Sequence, residues 1–179
     1  MKILFSGDLV GEPGRTQFGK IAGRMKQAGE VDFVVANAEN SAAGKGITPK
    51  IGEQLFAAGA DVITMGDHTW DRKEGVPYVG RTERILRPLN FAPGCPGRGY
   101  ITLTTPMGQK LTVVSLIGRV FMGHKPYDCP YRTIDALLER KDLGPIILVD
   151  LHAEATSEKI VMGHHLDGRV SAVVGTHTH

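Results

Sequence analysis

The sequence predicts an α/β fold in which a mixed sheet, or two stacked sheets, carries helices on the outside. Three observations lead there. Short apolar runs alternate with helical stretches from Lys2 to Met65, the rhythm of a partly parallel sheet. A hairpin-like pair of runs then breaks that rhythm in the middle of the chain. Carboxylates, amides and imidazoles follow the apolar runs directly, where open α/β sheets gather their ligands.

The elements follow in order. Residues 2–6 form a short apolar strand ending in Gly7-Asp8, and residues 14–27 are polar with spaced apolar positions, which reads as a helix. Residues 33–37 have the composition of a buried strand. Residues 49–58 read as a helix, with Thr48 as N-cap, Pro49 at the first helical position and Gly59 just past the end. Residues 62–65 make the next strand. Residues 100–104 and 111–116 flank Thr105-Pro106-Met107-Gly108-Gln109 as a hairpin. A helix over 132–141, a strongly apolar strand over 146–151, a helix over 155–163 and a short strand over 171–175 complete the chain.

Composition narrows the function. The 179 residues suit one domain with a real core. Hydrophobic residues at 41% and charged residues at 22% argue against disorder, and a net charge of +2 argues against nucleic-acid binding by bulk basic charge. No apolar run approaches the ~20 residues of a membrane helix, and the first eight residues do not read as a signal peptide. Cys95 and Cys129 lack metal-type spacing, so a cytoplasmic setting is expected.

The chemistry gathers at the strand ends. Asp8 follows the first strand, Asn37, Glu39 and Asn40 the second, and Asp67 and His68 the third. His152 follows the strand over 146–151, and His177 and His179 follow the last one. Five strand ends are thus expected to deliver Asp, Glu/Asn, Asp/His, His and His-x-His to one edge of a sheet. Carboxylate, amide oxygen and imidazole together favour manganese, iron or zinc over calcium. The groups suffice for two ions, with Glu39 as the natural bridge between them. A water held by such a pair becomes a nucleophile at neutral pH and suits attack on a phosphate ester.

Plainer readings compete at each position. An Asp after a strand is commonly a turn or helix cap, and Asn37 reads as a turn residue whereas Asn40 is a candidate ligand. His68 by itself reads as packed or exposed. A His-x-His inside a strand puts both rings on one face, which would make His177 and His179 a bidentate pair. His124 in its Gly/Pro loop, His164, His165, Arg119 and Lys45 read as solvated, and Trp70 as a wall of the core. No aromatic pair announces a base-stacking platform.

The motifs Gly7-Asp8, Asn37-Ala38-Glu39-Asn40, Gly66-Asp67-His68-Thr69-Trp70-Asp71, His152-Ala153-Glu154-Ala155-Thr156-Ser157-Glu158-Lys159 and Gly175-Thr176-His177-Thr178-His179 resemble the YmdB-like branch of the calcineurin-like metallophosphoesterases. The resemblance runs along the whole chain, and the segment from His152 to Lys159 is the most specific part of it. It implies a metallophosphoesterase-type α/β sandwich of two mixed β-sheets flanked by helices (α-β-β-α), and a dinuclear centre of divalent or mixed-valence iron or manganese. It also implies hydrolysis of 2′,3′-cyclic nucleotides to 3′-nucleotides by a metal-bridging hydroxide. Asp8, Glu39, Asn40 and His179 would hold one ion, and Glu39, Asp67, His152 and His177 the other. His68 would protonate the leaving oxygen. A small-molecule phosphodiester is the implied substrate, RNA-derived nucleotides and a homo-oligomer are compatible with the resemblance, and no membrane partner is expected. Two departures stand out. The family pattern has Asn where this chain has Asp67, and family members continue beyond the His-x-His motif. The chain is therefore expected to be a single metallophosphoesterase domain, residues 1–179, lacking its C-terminal part. The same departures give the alternative of a catalytically weak or inactive metal- or nucleotide-binding relative.

Overall fold

The computed structural model describes residues 1–105, 107–123 and 125–179; the expectation for His124, and Pro106 of the predicted hairpin connection, lie outside the described residues. The elements run β1 (Ile3–Ser6), α1 (Gly11–Gln27), β2 (Phe33–Asn37), α2 (Pro49–Ala57), β3 (Val62–Thr64), α3 (Gly75–Arg81), β4 (Ile85–Leu86), β5 (Tyr100–Thr104), β6 (Lys110–Ile117), α4 (Pro130–Leu138), β7 (Ile146–Ala153), α5 (Thr156–His165) and β8 (Ala172–His177). They form two four-stranded sheets, ordered β1-β2-β3-β4 and β5-β6-β7-β8. The first sheet is parallel throughout. The second is mixed, because β5 and β6 pair antiparallel as the predicted hairpin while β6, β7 and β8 run parallel.

The side-chain period of two decides the layers. In β2, Phe33 and Val35 face the second sheet and pack with Val62, Leu111, Val113 and Leu148. Val34 and Ala36 face the other way, against Phe18 and Ala22 of α1, Leu55 of α2, and Tyr78 and Val79 of α3. The second sheet repeats the arrangement, with Val114, Leu116, Val149 and Leu151 turned toward Ile134 and Leu137 of α4 and Met162 of α5. The result is the α-β-β-α sandwich. Strands covered on both faces carry near-continuous apolar runs, and for that reason β2 and the first half of β7 are apolar rather than alternating, with Asn37, Asp150 and His152 as the exceptions.

Local chemistry sets the ends of the helices. Thr48 Oγ1 accepts from the Ile51 amide at 3.3 Å, with Pro49 at the first helical position. Gly59 beyond α2 takes φ +112°, open to glycine at no steric cost. Two short elements were not expected. α3 and β4 are too brief to show a period, and they exist because Tyr78, Val79, Ile85 and Leu86 close the flank of the first sheet.

The close approach of α2 to α3 makes a prediction. A Cβ at Gly52 would collide with the buried Tyr78 ring at Cε1, at Oη (2.5 Å) and at Cζ (2.8 Å). Gly→Ala inside a helix ordinarily gains ~1 kcal/mol; overpacking costs ~1–3 kcal/mol. Gly52→Ala is expected to lower the unfolding free energy, measured by denaturant titration, whereas the propensity effect alone would raise it.

Candidate metal centre

The site lies where both sheets present their C-terminal strand ends. β1, β2 and β3 of the first sheet lead to Asp8, Glu39/Asn40 and Asp67/His68, while β7 and β8 of the second bring His152 and His177. The expected single sheet edge is therefore a seam between two sheets. His152 lies within β7 rather than after it, with its ring fully buried.

Glu39, Asp67, His152 and His177 each offer a ligand atom, and the four atoms lie within 4.8 Å of one another. His152 Nε2 sits 3.1 Å from both Glu39 Oε1 and Asp67 Oδ1. His177 Nδ1 is 3.7 Å from Asp67 Oδ1. Two further predicted ligands adjoin this group. Asp8 Oδ2 accepts from the His177 amide at 3.0 Å, and Asp8 Oδ1 lies 3.9 Å from His152 Nδ1. Asn40 turns its amide nitrogen to the Gly44 carbonyl at 2.9 Å. Asp8 Oδ1 and Asn40 Oδ1 are then buried without a hydrogen-bond partner among the described residues. A buried polar atom left this way costs ~1–3 kcal/mol, and a cation is the partner that satisfies oxygens of this kind. The donor set fits divalent metal.

Both histidines have their rings fixed from behind. Thr176 Oγ1 donates to Asp150 Oδ1 at 2.8 Å, so it accepts from His152 Nδ1–H at 3.0 Å and leaves Nε2 facing Glu39 and Asp67. His177 Nε2 contacts Glu154 Oε2 at 2.9 Å, which leaves Nδ1 toward Asp67. Outer partners that fix the tautomer are characteristic of histidine ligands. Asn37 belongs to this support: its Nδ2 bonds Asp150 Oδ2 and Thr176 Oγ1, and its Oδ1 accepts from the Glu39 amide.

The strand alternation that would set His177 and His179 on one face stops at His177. β8 ends at His177, whose φ of 96° breaks the strand alternation, and His179 is not among the four clustered residues. His68 is held to one side. Its amide bonds Glu39 Oε2 at 3.2 Å, its Nδ1 lies 2.8 Å from Asp71 Oδ2, and its Nε2 stays 3.9 Å from Asp67 Oδ2. Gly66 lets the walls of the site meet, since a Cβ there would strike Glu39 Oε2 and the His152 ring.

The sequence reading missed Asp71, Asp150, Glu154 and Thr176 as supports. Asp150 carried a signal: a carboxylate inside an apolar strand is unusual unless it is paired. The reading also missed an aromatic wall. Trp70 and Phe91 lie 5.9 Å apart, and Phe91 stacks on Tyr127 at 5.2 Å. These residues are remote in sequence, so only the fold brings them together.

Burial lowers the His152 pKa, but hydrogen bonds to Asp67 and Glu39 and the nearby negative charges outweigh it and lift the group from 6.5 to about 10. Burial raises Asp67, and the His152 hydrogen bond with the charges of His68, His152 and His177 overcomes this and holds it at about 2. A raised folded-state pKa stabilises the fold fully below the unfolded value. That contribution is then lost as pH rises through the folded value. The metal-free protein should therefore lose stability between pH 6.5 and about 10 through His152. Added Mn²⁺ replaces the proton and should flatten that dependence. Melting curves of chelator-treated protein with and without Mn²⁺ check this; identical pH profiles would contradict it.

The chain is similar to known proteins in sequence and in structure. It is 47% identical over 180 residues to the 2′,3′-cyclic-nucleotide 2′-phosphodiesterase of Bacillus subtilis (strain 168), covering 100% of this chain and 67% of that protein. Its structure is similar to that of a hypothetical protein from Thermus thermophilus, with TM-score 0.92 at 44% identity over 100% of this chain and 68% of the other. It is also similar to a Mycoplasma pneumoniae protein described as a novel phosphatase, with TM-score 0.90 at 34% identity over 100% of this chain and 64% of the other. The chain thus spans about two thirds of the length of these relatives. The YmdB-like protein family matches residues 4–179, and with the fold and the strand-end cluster already described, the chain belongs to that family.

Proposed function

We propose that this chain is a single metal-dependent phosphodiesterase domain that hydrolyses 2′,3′-cyclic nucleotides to 3′-nucleotides, with His68 as proton donor, in a cytoplasmic setting. The observation that carries the reading is the pair of unsatisfied buried oxygens, Asp8 Oδ1 and Asn40 Oδ1, adjoining the Glu39, Asp67, His152 and His177 cluster. The activity for which the Bacillus subtilis relative is named supports the substrate class. RNA-derived nucleotides carry this cyclic phosphate. Asp8, Glu39, Asn40 and His179 would hold one ion, and Glu39, Asp67, His152 and His177 the other; iron or manganese suits that mixture of oxygen and imidazole. When bound, the ions would polarise the phosphoryl group and make water nucleophilic at neutral pH.

The chain's own groups do the rest. Glu39 spans the site through both carboxylate oxygens, one toward His152 and one held by the His68 amide. Asp71 fixes His68 through Nδ1, which leaves Nε2 to hand a proton to the departing 2′ oxygen. The expected result is turnover of 2′,3′-cyclic AMP with added Mn²⁺. General acid catalysis is worth ~10²–10⁴-fold, so His68→Ala should lose that much on the cyclic nucleotide and far less on an activated aryl phosphodiester. Equal losses on the two substrates would remove His68 from the acid role.

Asp67 favours a second reading, a metal- or nucleotide-binding relative with weak turnover. Asp67 is an extra carboxylate compared with the Asn of the resembled family pattern, and it pairs with His152 at 3.1 Å. The added negative charge attracts metal but weakens attraction for a phosphodiester anion and leaves less positive charge for the transition state. Asp67→Asn is expected to raise kcat/KM and to lower resistance to chelators. Unchanged or reduced activity in that variant would overturn the charge argument.

A further inference from the structure

A cavity of about 350 Å³ opens beside the metal centre. Asp67 and Asp71, which face the cluster and His68, form one side of it, and Trp70, Phe91 and Tyr127 supply aromatic wall. Its size falls within the ~300–1,000 Å³ of small-molecule sites, and its mostly apolar lining with a few polar groups is also typical of them. A phosphate group alone has no use for such a surface. The apolar wall is assembled from three separate segments, around Trp70, Phe91 and Tyr127, and Met122 and Ile117 pack behind it.

One polar group in this wall lacks a role. The Tyr127 hydroxyl is buried without a hydrogen-bond partner among the described residues. Burial, together with the negative charges of Asp67, Glu39 and Asp71, pushes this phenol well above its ordinary value, so it stays a proton donor. The Tyr127 ring is what the cavity receives, so flat apolar walls stand next to a centre suited to phosphate. A nucleobase has the matching feature, two flat apolar faces.

We propose that this cavity is the base subsite of the enzyme, with Trp70, Phe91 and Tyr127 holding the nucleobase of a cyclic nucleotide whose phosphate lies at the metal centre. The assignment rests on the phosphodiesterase reading above. Binding in the cavity sets KM and substrate preference, while hydrolysis depends on the neighbouring cluster.

Trp70 is the single tryptophan of the chain, so its fluorescence reports on the cavity without any turnover. Titration of the full chain with 3′-AMP should give a saturable change in emission that ribose 5-phosphate at equal concentration does not produce. Ala92 is an exposed residue on the rim, and Ala92→Phe should narrow the cavity. Ala92→Phe, by narrowing the cavity, and Tyr127→Ala, by removing an aromatic face, should each weaken the 3′-AMP response about tenfold, on the scale of one lost base contact. Each should also lower, by a similar factor, the ratio of kcat/KM for 2′,3′-cyclic AMP to that for 1-O-methylribose 2′,3′-cyclic phosphate, which lacks a base. Saturable, base-dependent fluorescence without hydrolysis of either compound would keep the base subsite and overturn the phosphodiesterase reading. Hydrolysis of both compounds with no Trp70 response to 3′-AMP, or with a ratio that neither variant changes, would overturn the base subsite and keep the phosphodiesterase.

Discussion

The site depends on one buried carboxylate. Asp150 lies in β7 with no exposed surface, and its oxygens accept from Thr64 at 2.6 Å, Asn37 at 3.2 Å and Thr176 at 2.8 Å. Thr64 and Asn37 end strands of the first sheet; Thr176 belongs to the second. The network thus stitches the two sheets together directly beneath the cluster. Burial pushes the Asp150 carboxyl upward, and the hydrogen bonds from Thr64, Thr176 and Asn37 work against that shift. A carboxylate so placed is tolerated only because every approach to it is a donor. The requirement fixes the separation and register of the sheets where ligand positions must be accurate.

Orientation spreads outward from that point. Thr176, committed to Asp150, sets the His152 tautomer, and Asn37, bonded to both, holds the Glu39 amide. The segment from His152 to Lys159 performs three jobs in one strand-to-helix turn. His152 enters the cluster, Glu154 backs His177, and Glu158 accepts the Arg119 and Val120 amides that follow β6. Lys159 reaches Thr178 at 2.8 Å beyond β8. Few substitutions could keep all these contacts, which gives a physical reason for the specificity of this motif. The left-handed φ of His177 costs ~1–3 kcal/mol for a residue with a side chain. The ordered contacts to Asp8 and Glu154 hold it there.

Charge and apolar surface meet at Asp67. One side of it faces His152 and the cluster; the other forms part of the aromatic cavity. Lys125 bonds its carbonyl at 2.9 Å and ties the loop after β6 to the same point. A change at this residue therefore alters the electrostatics of the centre and the edge of the cavity together.

The sequence by itself determined most strands, most helices and the residue types at the strand ends. Those features are local: apolar runs, the Thr48-Pro49 helix start, the hairpin, and polar groups following β1, β2 and β3. Asp8, Glu39, Asn40, Asp67 and His152 were legible as candidates because polar groups at strand ends interrupt an apolar pattern. What the tertiary structure decided is which of these groups meet. Whether five strand ends share one sheet or bridge two depends on packing faces, which periodicity leaves open. The strand alternation expected to pair His177 with His179 stops at His177 through a single backbone angle that composition does not encode. Asp150 looked like an irregularity in an apolar strand, and its role exists only once Asn37, Thr64 and Thr176 converge on it from distant segments. Trp70, Phe91 and Tyr127 likewise become one wall only across loops that no pairwise pattern connects. Local propensity acts through neighbours in sequence, whereas a site is a set of neighbours in space.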